Sequence, residues 1–448
     1  MKLFGTDGIR GVAGSYPLDD ATILAIGAAA AEVLKEISPD RAVIIGRDTR
    51  QSGEHISGLL ERAFSSRGIA VWDVGVIPTP GISHLVKQQP VLAGVVISAS
   101  HNPYQDNGIK FFGHDGTKLS DAVESRIEAL IALMKAGKDQ PLAEAAGADK
   151  PGLLTDGYSD FLARSFTGGT MDGIRLVLDC ANGATCVLAP EVFRSLGAHV
   201  TLINASPDGK NINRDSGSLH PGALSKATLA SRAHCGIAFD GDGDRVMFVD
   251  EKGVVRDGDY FLAIAALHLR GRQRLVNNTL VTTVMANLGL MRSMERYGVS
   301  VHTTPVGDRY VYEAMVSSGS VLGGEQSGHV IFKEYHSTGD GILSALQMIS
   351  IMKESGKPLS ELASVMEKYP QVLINARVGK KIPLESLPET GRSISEAQGT
   401  LEGDGRVLVR YSGTENLLRV MIEGRDEKVI TKMAHVISET AQKEIGHL

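Results

Sequence analysis

Ala93-Gly94-Val95-Val96-Ile97 runs directly into Ser98-Ala99-Ser100-His101-Asn102-Pro103. Five small or apolar residues, closed by the turn-forming Asn-Pro pair, predict a short buried strand that ends in a fixed loop. That loop carries a hydroxyl. A lone serine is a poor nucleophile near neutral pH, so it needs a base, a charge or a metal beside it. Ser98 is expected still to belong to the strand, which makes Ser100, next to the Asn-Pro turn, the candidate.

Outward from this junction, strands and helices alternate. Upstream lie a helix from Asp20 to Ile37 and the strand Ala42-Val43-Ile44-Ile45, which runs into Gly46-Arg47-Asp48-Thr49-Arg50. A helix to Ser66, a strand from Ile69 to Val74, a turn at Pro78-Thr79-Pro80 and a helix from Gly81 to Lys87 complete the approach. Downstream, Asn107-Gly108 is expected as a hairpin turn into a strand carrying Lys110. Lys110 is then either close to Ser100 or an ordinary surface lysine. Such alternation predicts a largely parallel sheet covered by helices. The strand exits at Gly46-Arg47-Asp48, Asp179-Cys180-Ala181-Asn182 and Met285-Ala286-Asn287 share one pattern, an apolar strand passing into a small-polar loop. They hint at one supersecondary unit used three times.

The 448 residues suit about three domains by length alone. With 42% hydrophobic and 22% charged residues, the composition is that of an ordinary soluble globular protein. A net charge of −6 argues against a nucleic-acid partner, whose electrostatic footprint is basic. No apolar run is long enough to cross a bilayer, and the first residues lack the apolar core of a signal peptide. A cytoplasmic protein without a membrane partner is expected. Cys180, Cys186 and Cys235 are odd in number and not in metal-ligand spacing, which fits a reducing compartment.

Four further stretches carry chemistry. Asp240-Gly241-Asp242-Gly243-Asp244-Arg245 places alternating carboxylates on a backbone free to curl, hard oxygen ligands that suit Mg²⁺. Phe4-Gly5-Thr6-Asp7-Gly8-Ile9-Arg10-Gly11 is either a loop that approaches a ligand or a plain glycine-rich turn. Leu322 to Phe332 brackets Glu325, Ser327 and His329 with glycines, and these three side chains can accept from and donate to a polyhydroxy ligand. From Tyr369-Pro370 onward, alternating strands lead to Arg410-Tyr411-Ser412-Gly413-Thr414-Glu415 and Arg419. Two arginines, two hydroxyls and a glycine turn can chelate a phosphate, in what is expected to be a small α+β domain.

Phe4 to Gly11, Ser98 to Pro103, Asp240 to Arg245, Gly324-Glu325-Gln326-Ser327-Gly328-His329 and Arg410 to Glu415 stand in the order found in the α-D-phosphohexomutases, and the resemblance spans the whole chain. It implies a four-domain, heart-shaped α/β protein, with three related α/β domains of mixed sheets and a smaller α+β C-terminal domain. The implied bounds are 1–150 for a phosphoserine domain, 151–250 for a metal-binding domain, 251–368 for a sugar-binding domain and 369–448 for a phosphate-binding domain. Ser100 would carry a phosphoryl group, and Asp240, Asp242 and Asp244 would hold Mg²⁺ together with an oxygen of that phosphoserine. Arg245, Glu325, Ser327 and His329 would contact the sugar. Arg410, Ser412, Gly413, Thr414 and Arg419 would grip the phosphate already on the substrate, with Arg10 and Lys110 near the reacting group.

The implied activity is an intramolecular phosphotransfer, an isomerase reaction that passes through a 1,6-bisphosphate. Phe4-Gly5-Thr6-Asp7-Gly8, Gln326 and Ser337-Thr338-Gly339-Asp340-Gly341 resemble the branch acting on glucosamine 6-phosphate and glucosamine 1-phosphate, ahead of UDP-N-acetylglucosamine synthesis. Glucosamine 1,6-bisphosphate is then the expected activator and a hexosamine phosphate the expected partner of a monomer or homodimer; mannose or glucose phosphates are the near alternative. Lys110, His101 or His329 could accept the proton of the attacking hydroxyl. Where bacterial members commonly have proline after Ser-Gly-Thr-Glu, this chain has Asn416, which removes a stiffening ring.

Overall fold

A computed structural model describes residues 2–5, 7–136, 154–412 and 416–446. The stretch 137–151, expected as the first domain boundary, lies outside the described residues, as do Gly413 and Thr414. The chain divides into two compact units, Met1–Met285 with Val299–Val365, and Ala286–Gly298 with Met366–Leu448.

In the first unit, β1 (Ile9–Val12), β2 (Ala42–Arg47), β3 (Ala70–Val76), β4 (Ala93–Ile97) and β5 (Asp106–Gly113) form one sheet in the order β1-β5-β4-β2-β3. β2 pairs in parallel with β3 and β4, whereas β5 runs antiparallel to both β4 and β1. Helices α1 (Asp20–Lys35), α2 (Gly53–Ser65), α3 (Thr79–Gln88) and α4 (Asp121–Ala136) complete this layer. α1 begins where the Asp19 carboxylate accepts from the Thr22 amide, and its alanine-rich face packs with Val43, Ile45, Val95 and Ile97 in one core.

The next segment holds α5 (Leu154–Ser165), β6 (Arg175–Asp179), α6 (Leu188–Ser195), β7 (His199–Ile203), α7 (Gly222–Ala230), β8 (Cys235–Phe239), β9 (Val246–Asp250) and β10 (Val255–Arg256). Their sheet is ordered β10-β9-β8-β6-β7. Then come α8 (Gly258–Gly271), β11 (Thr279–Thr283), α9 (Leu288–Arg296), β12 (Ser300–Thr304), α10 (Asp308–Ser318), β13 (Leu322–Gly324), β14 (Val330–Phe332), α11 (Gly341–Ser355) and α12 (Leu359–Leu362). Here the order is β12-β11-β13-β14; α9 belongs to the second unit.

Set side by side, the three sheets share one core. β3-β2-β4-β5, β7-β6-β8-β9 and β12-β11-β13-β14 each consist of three parallel strands and an antiparallel fourth. The repeat hinted at by the strand exits is therefore a topological one. In every copy the third strand turns back into the fourth, and that turn carries a chemical motif: residues 98–105, 240–245 and 325–329.

Four local expectations are corrected. Asn107-Gly108 is not a hairpin turn but lies inside β5, because Gly108 pairs with Arg10 and accepts from the Ser98 amide at 3.0 Å. Ile9–Val12 is an edge strand rather than loop. Ser98 lies one residue beyond the end of β4. α3 starts at Thr79, two residues early, since proline is tolerated in a helix's first turn.

The second unit is α+β. β15 (Gln371–Arg377), β16 (Gly405–Tyr411) and β17 (Leu417–Gly424) form an antiparallel sheet ordered β15-β17-β16, covered by α13 (Pro388–Thr400) and α14 (Glu427–Ile445). The buried Glu423 carboxylate fastens α9 to this sheet, accepting from Asn287 Nδ2 at 2.9 Å and the Leu288 amide at 3.2 Å while Arg406 Nε donates at 2.9 Å.

Candidate active site

β4 is buried throughout, so its exit is fixed by packing before any polar contact forms. Three residues later Ser100 adopts a left-handed conformation, φ 52°, which costs a non-glycine residue roughly 1–2 kcal/mol. Its amide donates to Ser98 Oγ at 2.9 Å, and Ser98 Oγ donates to Asp48 Oδ2 at 2.6 Å. Ser100 Oγ is thereby aimed across to the second repeat, where it donates to Asp240 Oδ2 at 2.6 Å. Gly241 permits this approach, because a Cβ there would lie 2.6 Å from the Ser100 carbonyl oxygen.

Asp240, Asp242 and Asp244 are all buried, and one carboxylate oxygen from each lies within 4.8 Å of the others. Burial, and the neighbouring Asp244 and Asp242, push the Asp240 carboxyl well above its usual range. Asp242 Oδ2 accepts from Thr79 Oγ1 at 2.7 Å and Lys110 Nζ at 2.8 Å. Asp242 Oδ1 and Asp244 Oδ1 are buried without a hydrogen-bond partner. Three crowded carboxylates with two orphaned oxygens are what a hard divalent cation would satisfy, so the residues present fit a metal.

Lys110 sits between two carboxylates, Asp242 Oδ2 and Asp7 Oδ2, each at 2.8 Å. Burial opposes its charge, but Asp242 and Asp7 outweigh it and hold the ammonium well above its ordinary range. Asp7 in turn pairs with Arg10 and Lys118. Lys118 Nζ continues to Asp308 Oδ2 at 2.6 Å, and that oxygen lies 3.6 Å from His329 Nε2. Arg10 Nη1 also donates to the Ala99 carbonyl at 3.3 Å, beside Ser100. His101 Nδ1 lies 3.4 Å from Ser100 Oγ; burial, Arg245 and Arg10 lower its pKa to about 4.

The third repeat contributes a tight turn. The Glu325 amide donates to the His329 carbonyl at 2.9 Å and the Gly328 amide to the Glu325 carbonyl at 3.0 Å. Gly328 has φ 91°, and any Cβ there would run into the Val246 carbonyl of the second repeat. Glu325 and Ser327 stay half-buried, with Ser327 Oγ 3.4 Å from Glu325 Oε2. His329 turns inward instead, only 3% exposed. Its Nε2 accepts from the Gly339 amide at 2.8 Å, which leaves the proton on Nδ1, 3.6 Å from Asp244 Oδ2. Arg245 is half-buried, its Nε 3.8 Å from Asp244 Oδ1.

In the second unit, Arg410 and Arg419 are cross-strand partners on β16 and β17, and the Ser412 amide donates to the Leu417 carbonyl at 2.9 Å. Burial and Arg419 together lower the Arg410 pKa. Sequence reasoning did not single out Thr79, Lys118 or Asp308. Only Asp308 carried a local signal, following Gly307 at a strand exit like the other motif loops.

Three copies of one α/β core, each offering the same turn to a common set of charged groups, define a phosphohexomutase architecture. The chain belongs to the phosphoglucomutase/phosphomannomutase family: residues 1–137, 156–253 and 257–369 match its alpha/beta/alpha domains I, II and III, and residues 373–440 match its C-terminal domain. It is 48% identical over 450 residues to the phosphoglucosamine mutase of Syntrophotalea carbinolica, covering 99% of this chain and 98% of that one. A phosphoglucomutase/phosphomannomutase family protein of Burkholderia thailandensis shares the fold with a TM-score of 0.81 at 22% identity, covering 99% and 97% of the two chains. The N-acetylphosphoglucosamine mutase of Aspergillus fumigatus, solved with GlcNAc-6P and magnesium, superposes with a TM-score of 0.68 at 18% identity, covering 99% and 96%. Among the described residues, no helix is long and apolar enough to cross a membrane.

Proposed function

We propose that this chain is an isomerase that interconverts glucosamine 6-phosphate and glucosamine 1-phosphate; support comes from the relative named phosphoglucosamine mutase, 48% identical over nearly its whole length. The observation that carries the reading is the 2.6 Å bond from Ser100 Oγ to Asp240, which joins the motif turns of two repeats. Phosphorylated Ser100 gives its phosphoryl group to the free C1 oxygen of glucosamine 6-phosphate. The seryl O–P bond breaks as the sugar O–P bond forms, leaving glucosamine 1,6-bisphosphate. After the sugar turns over, the C6 phosphoryl returns to Ser100 and glucosamine 1-phosphate departs.

Mg²⁺, held by Asp240, Asp242, Asp244 and a phosphoserine oxygen, would supply Lewis-acid stabilisation of the transferring phosphoryl. Lys110, kept as a cation by Asp7 and Asp242, stabilises developing charge together with Arg10. Lys110, His101 and His329 are the side chains able to exchange a proton with the attacking hydroxyl; His101 Nδ1, 3.4 Å from Ser100 Oγ, stands on the side of the seryl leaving oxygen. Arg245, Glu325 and Ser327 bind the sugar, with His329 supporting them and Asp244 from inside. Arg410, Ser412, Gly413, Thr414 and Arg419 hold the resident phosphate.

The four functional segments are assigned as 1–150 for the phosphoserine, 151–250 for the metal, 251–368 for the sugar and 369–448 for the phosphate. The protein acts in the cytoplasm as a monomer or homodimer, on a small-molecule hexosamine phosphate and without nucleic-acid or membrane partners. Glucose or mannose phosphates as principal substrates are not favoured, given the full-length phosphoglucosamine mutase relatives.

Turnover of glucosamine, glucose and mannose 6-phosphates, each with its catalytic 1,6-bisphosphate, tests the assignment. The amino sugar should be fastest, and equal rates would reject it. Intact-mass analysis should find one phosphate on part of the fresh protein and none on Ser100→Ala. A phosphate persisting in that variant would move the carrier elsewhere.

A further inference from the structure

The loop bearing Ser100 is gripped from behind by one guanidinium. Arg50 follows β2, and the side chains of both Arg50 and its partner Asp48 have no exposed surface. Arg50 Nε donates to Asp48 Oδ2 at 2.9 Å. Its Nη1 donates to the carbonyls of Pro103 and, at 2.9 Å, Asp106. Its Nη2 donates to the carbonyls of Ser100 at 2.9 Å and Asn102 at 2.8 Å. All five guanidinium N–H groups are thus spent, three of them on the backbone of this loop and one on the first residue of β5.

A second clasp comes from the next repeat. Asn213 Nδ2 donates to the same Ser100 and Asn102 carbonyls, at 2.8 and 3.1 Å. Asp48 closes the circuit, since it also takes Ser98 Oγ, which in turn accepts the Ser100 amide. Both backbone polar groups of Ser100 are therefore tied, directly or through Ser98, to the Asp48–Arg50 pair. A left-handed serine persists only where its surroundings over-determine it, and these are the contacts that do so.

We propose that Arg50, seconded by Asn213, is a positioning residue that holds the Ser100 tip in its left-handed conformation and so directs the phosphoryl group to sugar rather than to water. The inference rests on the phosphoryl-transfer reading above. Transfer to a sugar oxygen needs near in-line alignment, and a displacement of about 1 Å costs on the order of 100-fold. Water is small and mobile, and it finds a displaced phosphoserine as readily as an aimed one. In that competing reaction the seryl O–P bond breaks, the water oxygen bonds to phosphorus, and its proton goes to Ser100 Oγ as inorganic phosphate leaves.

The experiment compares the full-length wild type with Arg50→Lys, Arg50→Ala and Asn213→Ala. Three quantities are read: mutase turnover with glucosamine 1,6-bisphosphate, inorganic phosphate released from the phosphorylated enzyme, and acquisition of phosphate by intact mass. Arg50→Lys keeps the charge but loses the fork. It should lower kcat about 100-fold with KM nearly unchanged and hydrolysis within a few-fold of wild type, so that the transfer-to-hydrolysis ratio falls about 100-fold. Arg50→Ala should recover part of its kcat with added guanidinium ion. Asn213→Ala, which removes one clasp, should show the same split at about 10-fold.

Full kcat in Arg50→Lys, or transfer and hydrolysis falling in equal proportion in the folded variants, would overturn the proposal. Wild type that cannot turn over glucosamine 6-phosphate would instead overturn the substrate reading. The positioning role is then decided by whether Ser100 takes phosphate from a hexose 1,6-bisphosphate more slowly in Arg50→Lys than in wild type. An equal rate there would overturn it as well.

Discussion

Arg410 on β16 stands directly opposite Arg419 on β17. Side chains opposite one another in an antiparallel pair share a face, and like charges so placed cost roughly 0.2–1 kcal/mol. An anion between the two guanidiniums would convert that cost into binding. Arg410→Gln is therefore expected to raise the unfolding midpoint of the ligand-free protein slightly. The same variant should abolish the stabilisation that added inorganic phosphate gives to wild type and raise KM at least about 10-fold. Thermal melts with and without phosphate check both halves, and a variant still stabilised by phosphate would remove Arg410 from the clamp.

The two orphaned oxygens of Asp242 and Asp244 carry the expectation for metal. Asp242→Asn keeps a carbonyl oxygen for Thr79 and Lys110 but withdraws one negative charge from the trio. Mg²⁺ affinity measured by calorimetry should fall at least about 100-fold, beyond the 10–100-fold typical of losing a partner that only orients a ligand. Unchanged affinity would exclude Asp242 from the ligand set.

How far the sequence could be read depended on the range of the forces involved. β4 and β8 are buried on both faces, so they appear as uninterrupted apolar runs, and the motif that follows each is found at once. Asn107-Gly108 misled because its turn preference is local, whereas its place in β5 is decided by strands on both sides. Thr79 looked like part of a Pro-Thr-Pro turn, and its partner Asp242 is 163 residues away. Lys118, Asp308, Arg50 and Asn213 are single polar residues whose contacts at the site are with partners distant in sequence. Arg50, for instance, meets Ser100 fifty positions later. No periodicity marks such contacts; the folding of the first repeat makes that of Arg50, and the meeting of repeats makes those of Lys118 with Asp308 and of Asn213 with Ser100.

Lys118 joins Asp7 of the first repeat to Asp308 of the third, and all three side chains are at most about one-fifth exposed. Removing the shared cation leaves two poorly solvated carboxylates facing each other, Asp7 still held by Lys110 and Arg10 but Asp308 without its lysine. Lys118→Met, which keeps the length of the stem, is expected to cost about 3 kcal/mol. Urea denaturation should show the loss, and adding Asp308→Asn should restore part of it by relieving the repulsion. A double variant no more stable than Lys118→Met would show that the two carboxylates do not depend on this lysine.

Asp340 caps α11, accepting from the Leu343 amide at 3.0 Å and from the Tyr158 hydroxyl at 2.8 Å. Burial dominates these favourable bonds and raises its pKa from 3.8 to about 6. The folded protein therefore binds a proton in this interval that the unfolded chain has released. Its contribution to stability is full below the unfolded value and is lost as pH rises to about 6, then stays constant. Asparagine is neutral throughout and still offers an acceptor to the helix end. Asp340→Asn should consequently gain on wild type by about 1–3 kcal/mol between pH 4 and pH 7. Unfolding free energies measured across that range decide the matter, and parallel curves for the two proteins would mean that Asp340 is charged in the folded state over the whole interval.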